Sequence, residues 1–67
     1  MQLVKLAEGV AIMMKYMTMD DPGCVQAEHD QIWLGPCDDE ILFSKADVAR
    51  LEELGFFWDE ESWSCFA

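Results

Sequence analysis

The sequence predicts an α+β domain in which two helices pack on a three-stranded, mainly antiparallel sheet, in the order α-β-α-β-β. Three observations lead to this prediction: an apolar stripe with helical spacing near the start, a second helix with marked ends, and an aromatic-rich hairpin pattern at the end. The 67 residues suffice for one domain, 1–67, with one small core.

The first helix is predicted over residues 2–17. Its apolar residues recur at steps of three and four, which is typical of a helix that buries one face. The stripe consists of Leu3, Leu6, Ala7, Val10, Met13, Met14 and Met17. Ile12 and Tyr16 fall nearly opposite this stripe, so they are predicted to be surface residues or, alternatively, a homodimer contact. The turn-forming sequence of residues 20–23, Asp-Asp-Pro-Gly, ends the segment.

Residues 25–34 are predicted to form the first strand, which Gly35 and Pro36 end. The alternation of this segment is imperfect, because apolar and polar side chains would share both faces of the strand. A bulge or a twist midway would exchange the two faces. The pattern therefore leaves open which face is buried.

The second helix is predicted over residues 45–54 from signals at both of its ends. Ser44 is a typical N-cap residue, and Asp47 stands at the position of a capping-box carboxylate. Gly55 is a typical residue to follow a helix, because it adopts the left-handed conformation without strain. These signals agree, so both boundaries of this helix are predicted.

The end of the chain is predicted to form a β-hairpin. Residues 56–58 and 63–66 are rich in aromatic residues and flank the polar segment 59–62. Aromatic strands around a short polar segment are typical of a hairpin, here with a four-residue turn.

The chain is strongly acidic, with 14 Asp and Glu against 4 Lys and Arg and a net charge of −10. Residues 20–67 carry a net charge of −11, whereas residues 1–19 carry a net charge of +1. Because a net charge of about 2–8 in magnitude is enough for solubility, the excess predicts a basic partner. The same charge repels nucleic acid and anionic membrane, which excludes both as direct ligands.

The predicted partner-binding residues are the acids of the strands, the second helix and two of the loops. They are Glu28, Asp30, Asp38, Asp39, Glu40, Asp47, Glu52, Glu53, Asp59, Glu60 and Glu61. A rigid domain that displays these carboxylates would imitate duplex DNA, which carries one charge per about 1.7 Å of axis. It would then compete for the Lys and Arg side chains of a DNA-binding protein. Each acidic run alone has a simpler interpretation as a solvated surface.

Few features of the sequence indicate metal binding or catalysis, so no cofactor and no enzymatic activity are predicted. Cys24, His29, Cys37 and Cys65 are the possible zinc ligands, but they lack the closely spaced pair typical of structural zinc sites. The chain also lacks a phosphate-binding glycine loop and a nucleophile elbow. An odd number of cysteines without a preceding signal peptide predicts reduced thiols and a cytoplasmic protein.

Three segments carry a resemblance to a known group of proteins: Glu28-His29-Asp30, the helix from Ser44 to Gly55, and the closing Trp-Asp-Glu-Glu-Ser-Trp-Ser-Cys-Phe. With them, residues 27–66 resemble small acidic proteins of phages and mobile elements, including anti-CRISPR proteins that act as DNA mimics. The resemblance implies an inhibitor in the host-cell cytoplasm that blocks the basic DNA-binding groove of a type I CRISPR effector. The alternative is a small structural or adaptor protein that binds a protein partner, or itself, through the first helix. A monomer is favoured over a dimer.

Overall fold

The computed structural model describes all 67 residues and contains two helices and four strands. The elements are α1 (Leu3–Met14), β1 (Cys24–Glu28), β2 (Gln31–Gly35), α2 (Lys45–Leu54), β3 (Phe57–Asp59) and β4 (Ser62–Phe66). The strands form one antiparallel sheet in the order β1-β2-β4-β3. The α+β class is confirmed, whereas the prediction of a three-stranded sheet is wrong.

The additional strand arises because residues 25–34 form most of a hairpin and not a single strand. β1 pairs with β2, and Glu28 lies opposite Gln31 across a two-residue turn. His29, the first turn residue, has a φ of 56°, which is uncommon for a residue other than glycine. The turn has neither the Asn nor the Gly that usually marks such a reversal, so the sequence signal was absent. Its polar residues also explain the imperfect alternation.

The register gives the sheet two different faces. Leu34 lies opposite Trp63, and Ile32 lies opposite Cys65, on the face that the helices cover. The core on this side consists of Met13, Leu34, Leu51, Leu54, Phe56, Trp63 and Cys65. The opposite face, here called the open face, carries no helix. Its residues are Gln26, Glu28, Gln31, Trp33, Phe57, Asp59, Ser62, Ser64 and Phe66.

Helix α1 packs on the core through most of the predicted stripe. Four residues of the stripe lie in the core or pack against it, namely Leu6, Val10, Met13 and Met17. Leu3 and Met14 belong to that stripe but are exposed to solvent, while Ile12 packs against the core. The ring of Tyr16 stacks on Phe43 with 3.9 Å between ring centroids. Ile12 and Tyr16 therefore take part in intramolecular packing, and their prediction as surface or dimer-contact residues is wrong. The helix also ends at Met14, earlier than predicted.

Helix α2 has the predicted bounds and the predicted ends. The Ser44 hydroxyl accepts the backbone N–H of Asp47 at 3.2 Å. Gly55 has a φ of 103°, and the N–H of Phe56 donates to the carbonyl of Leu51 at 2.9 Å. The following hairpin is also present, but its turn has two residues and not four, because Asp59 and Ser62 pair with each other as strand residues.

Cys24 and Cys37 form a disulfide, with their Cα atoms 5.2 Å apart, and Cys65 is a free, buried cysteine. The prediction of three reduced thiols is therefore wrong. The pairing depends on the unpredicted β1–β2 hairpin, which places Gly35 directly opposite Cys24. Cys37 follows Gly35 by two residues and so lies beside Cys24. Neither helix has both the length and the apolar character needed to cross a membrane.

Candidate acidic interface

Charges of opposite sign are distributed unequally over the fold. All four basic residues, Lys5, Lys15, Lys45 and Arg50, lie in the helices or at their ends. The helices contain equally many acids, namely Glu8, Asp47, Glu52 and Glu53. The helical part is therefore neutral, and the entire net charge of −10 belongs to the strands and loops.

Ion pairs hold the two helices together and use some of the predicted partner-binding acids. The Nζ atom of Lys15 lies 2.8 Å from Oδ2 of Asp47, and Arg50 contacts Glu8 and, at 3.5 Å, Glu53. The Tyr16 hydroxyl also donates to Asp47 at 2.5 Å. Asp47, whose side chain is only 16% exposed, therefore joins α1 to α2 and is not free for a partner.

These contacts predict a pH-dependent contribution of Asp47 to stability. The hydrogen bond from Lys15, followed by that from Tyr16, lowers the pKa of Asp47 below its ordinary value of 3.8. A carboxyl with a lowered folded-state pKa stabilises the fold above its unfolded pKa, and the effect is lost as pH falls through the folded pKa. Asp47→Asn should therefore lower the free energy of unfolding at neutral pH, and this difference should disappear progressively below pH 3.8.

Urea denaturation at a series of pH values measures this difference between the wild type and the variant. Glu52→Gln is the matched control, because Glu52 lies in the same helix and its side chain makes no hydrogen bond or ion pair. A difference for Asp47→Asn that stays constant down to the lowest pH would contradict the assignment of Asp47 as an ionised partner of Lys15.

The open face contains a cleft around Trp33 that is lined by carboxylates. A cavity of about 350 Å³ is lined by Gln26, Glu28, Trp33, Asp59, Glu60, Glu61 and Ser62. An adjoining cavity of about 320 Å³ shares four of these residues and adds Asp39. We call the five acids around Trp33 the acidic cleft: Glu28, Asp39, Asp59, Glu60 and Glu61. No Lys or Arg lines either cavity.

A network of hydrogen bonds fixes the floor of the acidic cleft. The Oδ2 atom of Asp59 accepts from Nε1 of Trp33 at 2.8 Å and from Nε2 of Gln31 at 3.1 Å. Gln31 also donates to the hydroxyl of Ser64, which is fully buried. The indole of Trp33 is thereby held in one orientation beside a carboxylate, across three neighbouring strands.

Glu60 occupies the rim of the cleft in an unfavourable backbone conformation. Its φ is 59°, and the N–H of Glu61 donates across it to the carbonyl of Asp59 at 2.6 Å. The indole of Trp58 also donates to the Glu60 carbonyl at 3.1 Å. A left-handed residue other than glycine costs on the order of 1–3 kcal/mol, and such residues are enriched at functional sites. The turn thus retains a carboxylate where Gly or Asn would fit the backbone better.

The remaining predicted acids lie away from this cleft. Asp38 and Glu40 are in the loop after β2, where a carboxylate oxygen of Asp38 accepts the Glu40 N–H at 2.9 Å. Asp30 is in the β1–β2 turn. Glu52 and Glu53 are on α2, which packs on the opposite side of the sheet. The structure therefore groups five acids, four of them from β1 and the β3–β4 hairpin.

Asp21 is an acid with a structural role in the segment before β1. Its carboxylate accepts the backbone N–H groups of Cys37 at 2.8 Å, Asp38 at 3.1 Å and Gly23 at 3.2 Å. These hydrogen bonds, those from Cys37 and Asp38 first, lower the pKa of Asp21. Asp21 thus fixes the loop after β2 to the loop before β1, next to the disulfide.

The four residues considered as zinc ligands do not converge. Cys24 and Cys37 are bonded to each other, and Cys65 lies in the core. His29 is at the β1–β2 turn with its side chain 87% exposed. No group of three or more His, Cys, Asp or Glu side chains is arranged to hold a metal ion.

No protein-family model matches this chain, and no curated protein or solved structure is similar to it. The distribution of charge over the molecule is therefore the observation from which we infer a function. Carboxylates around an indole suit a guanidinium or an ammonium group, because the face of an indole attracts a cation and carboxylates accept its hydrogen bonds. Trp33, which sequence reasoning missed as a site residue, is identified only once β1 and β2 are known to pair.

Proposed function

We propose that the protein has no catalytic role and is a binding protein that inhibits a basic, DNA-binding partner. In this proposal, the carboxylates of the acidic cleft bind Lys and Arg side chains that would otherwise hold DNA phosphates. The observation that carries it is the separation of charge: outside the two helices and their ends, the chain has ten acids and no Lys or Arg. Such a surface attracts a basic groove over long distances and speeds association with it.

The partner that we propose is the DNA-binding subunit of a nucleoprotein effector, such as a type I CRISPR complex, in the host-cell cytoplasm. The support is the resemblance of residues 27–66 to acidic anti-CRISPR proteins, together with the acidic cleft. A cytoplasm keeps most thiols reduced, so the proposal requires that binding persist without the Cys24–Cys37 disulfide. The β-ladders that position Glu28, Glu60 and Glu61 do not include this bond.

The test is competition with labelled target DNA for a purified type I CRISPR complex, at low and at high salt, with and without reductant. Wild type should displace the DNA at low salt and lose affinity steeply as salt increases. The triple variant Glu28→Gln/Glu60→Gln/Glu61→Gln should bind at least about tenfold more weakly, because it removes three of the four exposed charges of the cleft and leaves only Asp39. Asp59 is left intact because it holds Trp33 in place.

The matched control is Glu40→Gln/Glu52→Gln/Glu53→Gln, which removes the same charge from positions outside the cleft. Its affinity should fall much less than that of the cleft variant. Equal affinities of the two triple variants would show that the cleft is not the contact surface. Failure of the wild type to displace DNA at low salt would refute the proposal for this effector class.

A second candidate function is an adaptor that binds a protein partner through α1. The specific observation in its favour is the exposed apolar surface of this helix, where Leu3, Val4 and Met14 are all largely accessible. In the same assay, binding that does not depend on salt would favour this function over electrostatic inhibition.

A further inference from the structure

Strand β1 is a free edge of the sheet with nothing covering it. All five of its residues, Cys24–Glu28, are exposed, and its only sheet neighbour is β2. No backbone group of β1 takes part in any hydrogen bond outside the β1–β2 ladder. Natural proteins usually protect such an edge with a lysine, a proline, a bulge or a covering loop. β1 has none of these along its length, and its middle residues, Val25, Gln26 and Ala27, are uncharged.

The register identifies which backbone groups are free at this edge. The two-residue turn closes on the pair Glu28–Gln31, so the hydrogen-bonded pairs continue as Gln26–Trp33 and Cys24–Gly35. The residues between them, Val25 and Ala27, direct their N–H and C=O groups away from β2. Two donors and two acceptors are therefore available to an additional strand.

Different surfaces lie on the two sides of this edge. On the open face, Gln26 and Glu28 line the acidic cleft. On the other face, Val25 is 75% exposed and lines an apolar groove of about 350 Å³ between β1 and α1, whose wall includes Met14 and Met17. A strand added to β1 would place alternate side chains over these two surfaces.

We propose that β1 accepts, as an added antiparallel strand, a segment of a protein partner in which basic and apolar residues alternate. Its basic side chains lie over the acidic cleft and its apolar side chains lie in the groove beside Val25. Antiparallel pairing is slightly stronger per residue than parallel pairing, and every pair in this sheet is antiparallel. A second copy of the chain is a poor occupant, because each copy carries a net charge of −10 and would bring a second Glu28 to the same edge.

This inference rests on the proposed binding of a basic partner and specifies the form of that partner. Strand addition combines main-chain hydrogen bonds, which contribute affinity, with alternate side-chain contacts, which contribute specificity. A basic segment without alternation would satisfy the charge but could not fill the apolar groove at the same time.

The test compares two peptides of the same composition by calorimetry and by amide NMR of the full-length protein. One alternates, Lys-Val-Lys-Val-Lys-Val-Lys, and the other is the block peptide Lys-Lys-Lys-Lys-Val-Val-Val. The alternating peptide should bind at least about tenfold more tightly. It should also slow hydrogen exchange at the Val25 and Ala27 amides, which are otherwise open to solvent. Equal affinity with the same salt dependence would overturn strand addition while leaving the electrostatic proposal intact.

Backbone-modified peptides test the pairing itself without altering the protein. In the antiparallel arrangement, the valines lie opposite Val25 and Ala27 and donate the inter-strand hydrogen bonds. N-methylation of the valines should abolish binding, whereas N-methylation of the lysines should leave most of it. Similar losses for both modified peptides would overturn the inference.

A protein variant provides the complementary measurement. Ala27→Pro removes an N–H that points to solvent, so the β1–β2 ladder is retained. It should keep the fold and lose affinity for the alternating peptide about tenfold or more. Unchanged affinity in a folded Ala27→Pro variant would contradict the proposal. If this variant does not fold, the N-methylated peptides decide the question on the wild-type protein.

Discussion

Replacing both Cys24 and Cys37 with serine should lower the free energy of unfolding by about 3 kcal/mol. The two cysteines are 13 residues apart, and a cross-link that closes a loop of about this length removes that much conformational freedom from the unfolded chain. A single core in a chain of fewer than about 70–80 residues rarely supplies more than about 3–5 kcal/mol. Urea denaturation followed by Trp fluorescence should thus find the double variant only marginally stable.

Wild-type protein in reductant is the control for the effect of the substitutions themselves. It should reproduce the unfolding midpoint of the double variant, because both lack only the Cys24–Cys37 bond. Cys65 is present in both proteins and is buried, where desolvation raises its thiol pKa, so it should remain unreactive. Identical unfolding curves for the oxidised wild type and the variant would show that the disulfide is absent in solution.

The position of this disulfide connects stability to the proposed interface. Cys24 begins the free edge strand and lines both the apolar groove and the second cavity of the acidic cleft. We therefore expect reduction to loosen the start of β1, whereas Glu28 at its other end should stay paired with Gln31 across the turn. For this reason, the DNA competition experiment must be carried out both with reduced protein and with oxidised protein.

The parts of the fold that the sequence predicted correctly are those with local signals. Helix α2 has its cap at Ser44 and its terminating Gly55 within the segment itself, so neighbouring structure was not needed. The β1–β2 hairpin has no comparable signal, because a His-Asp turn is not among the usual two-residue turns. The disulfide and the cleft both depend on this hairpin, so they could not be predicted once it was missed.

The candidate site shows the same dependence on tertiary structure. The sequence predicted eleven partner-binding acids without distinguishing them, and the structure groups Glu28, Asp39, Asp59, Glu60 and Glu61 around Trp33. Asp47 could not be recognised as an internal partner of Lys15, because the two are 32 residues apart. Charge composition thus predicted the kind of partner, while strand register determines which carboxylates can meet it.

Helix α1 illustrates a prediction that is confirmed for most of the buried stripe and wrong at its margins. Its apolar positions repeat with helical spacing, and Leu6, Val10, Met13 and Met17 pack in or against the core. The helix also makes a close approach to Phe56 that the predicted stripe does not include. That approach occurs at Gly9, which is not among the apolar residues that define the predicted stripe. At the margins of the stripe, Leu3 and Met14 are exposed, while Ile12, which lies outside the stripe, packs against the core.

Gly9→Ala should therefore destabilise the protein, although alanine is the better helix former. A Cβ atom at residue 9 would overlap Cε2 and Cζ of Phe56, and Phe56 is a buried member of the core. Overpacking of a core lowers the free energy of unfolding by about 1–3 kcal/mol. The higher helix propensity of alanine offsets about 0.8–1 kcal/mol of this loss. Because the overlap involves two ring atoms of a buried residue, the overpacking cost should lie near its upper end of about 3 kcal/mol. The expected net loss in free energy of unfolding is therefore about 2 kcal/mol, measured by urea denaturation.

A double-mutant cycle separates this steric effect from other consequences of the substitution. Phe56→Leu removes the ring that would collide with the new Cβ atom, so Gly9→Ala should cost less in that background, or even stabilise it. Lys5→Ala, at an exposed position of the same helix, should change stability little. A Gly9→Ala variant as stable as the wild type would mean that α1 lies farther from Phe56 in solution. The buried face of α1, and with it the groove beside β1, would then need to be assigned again.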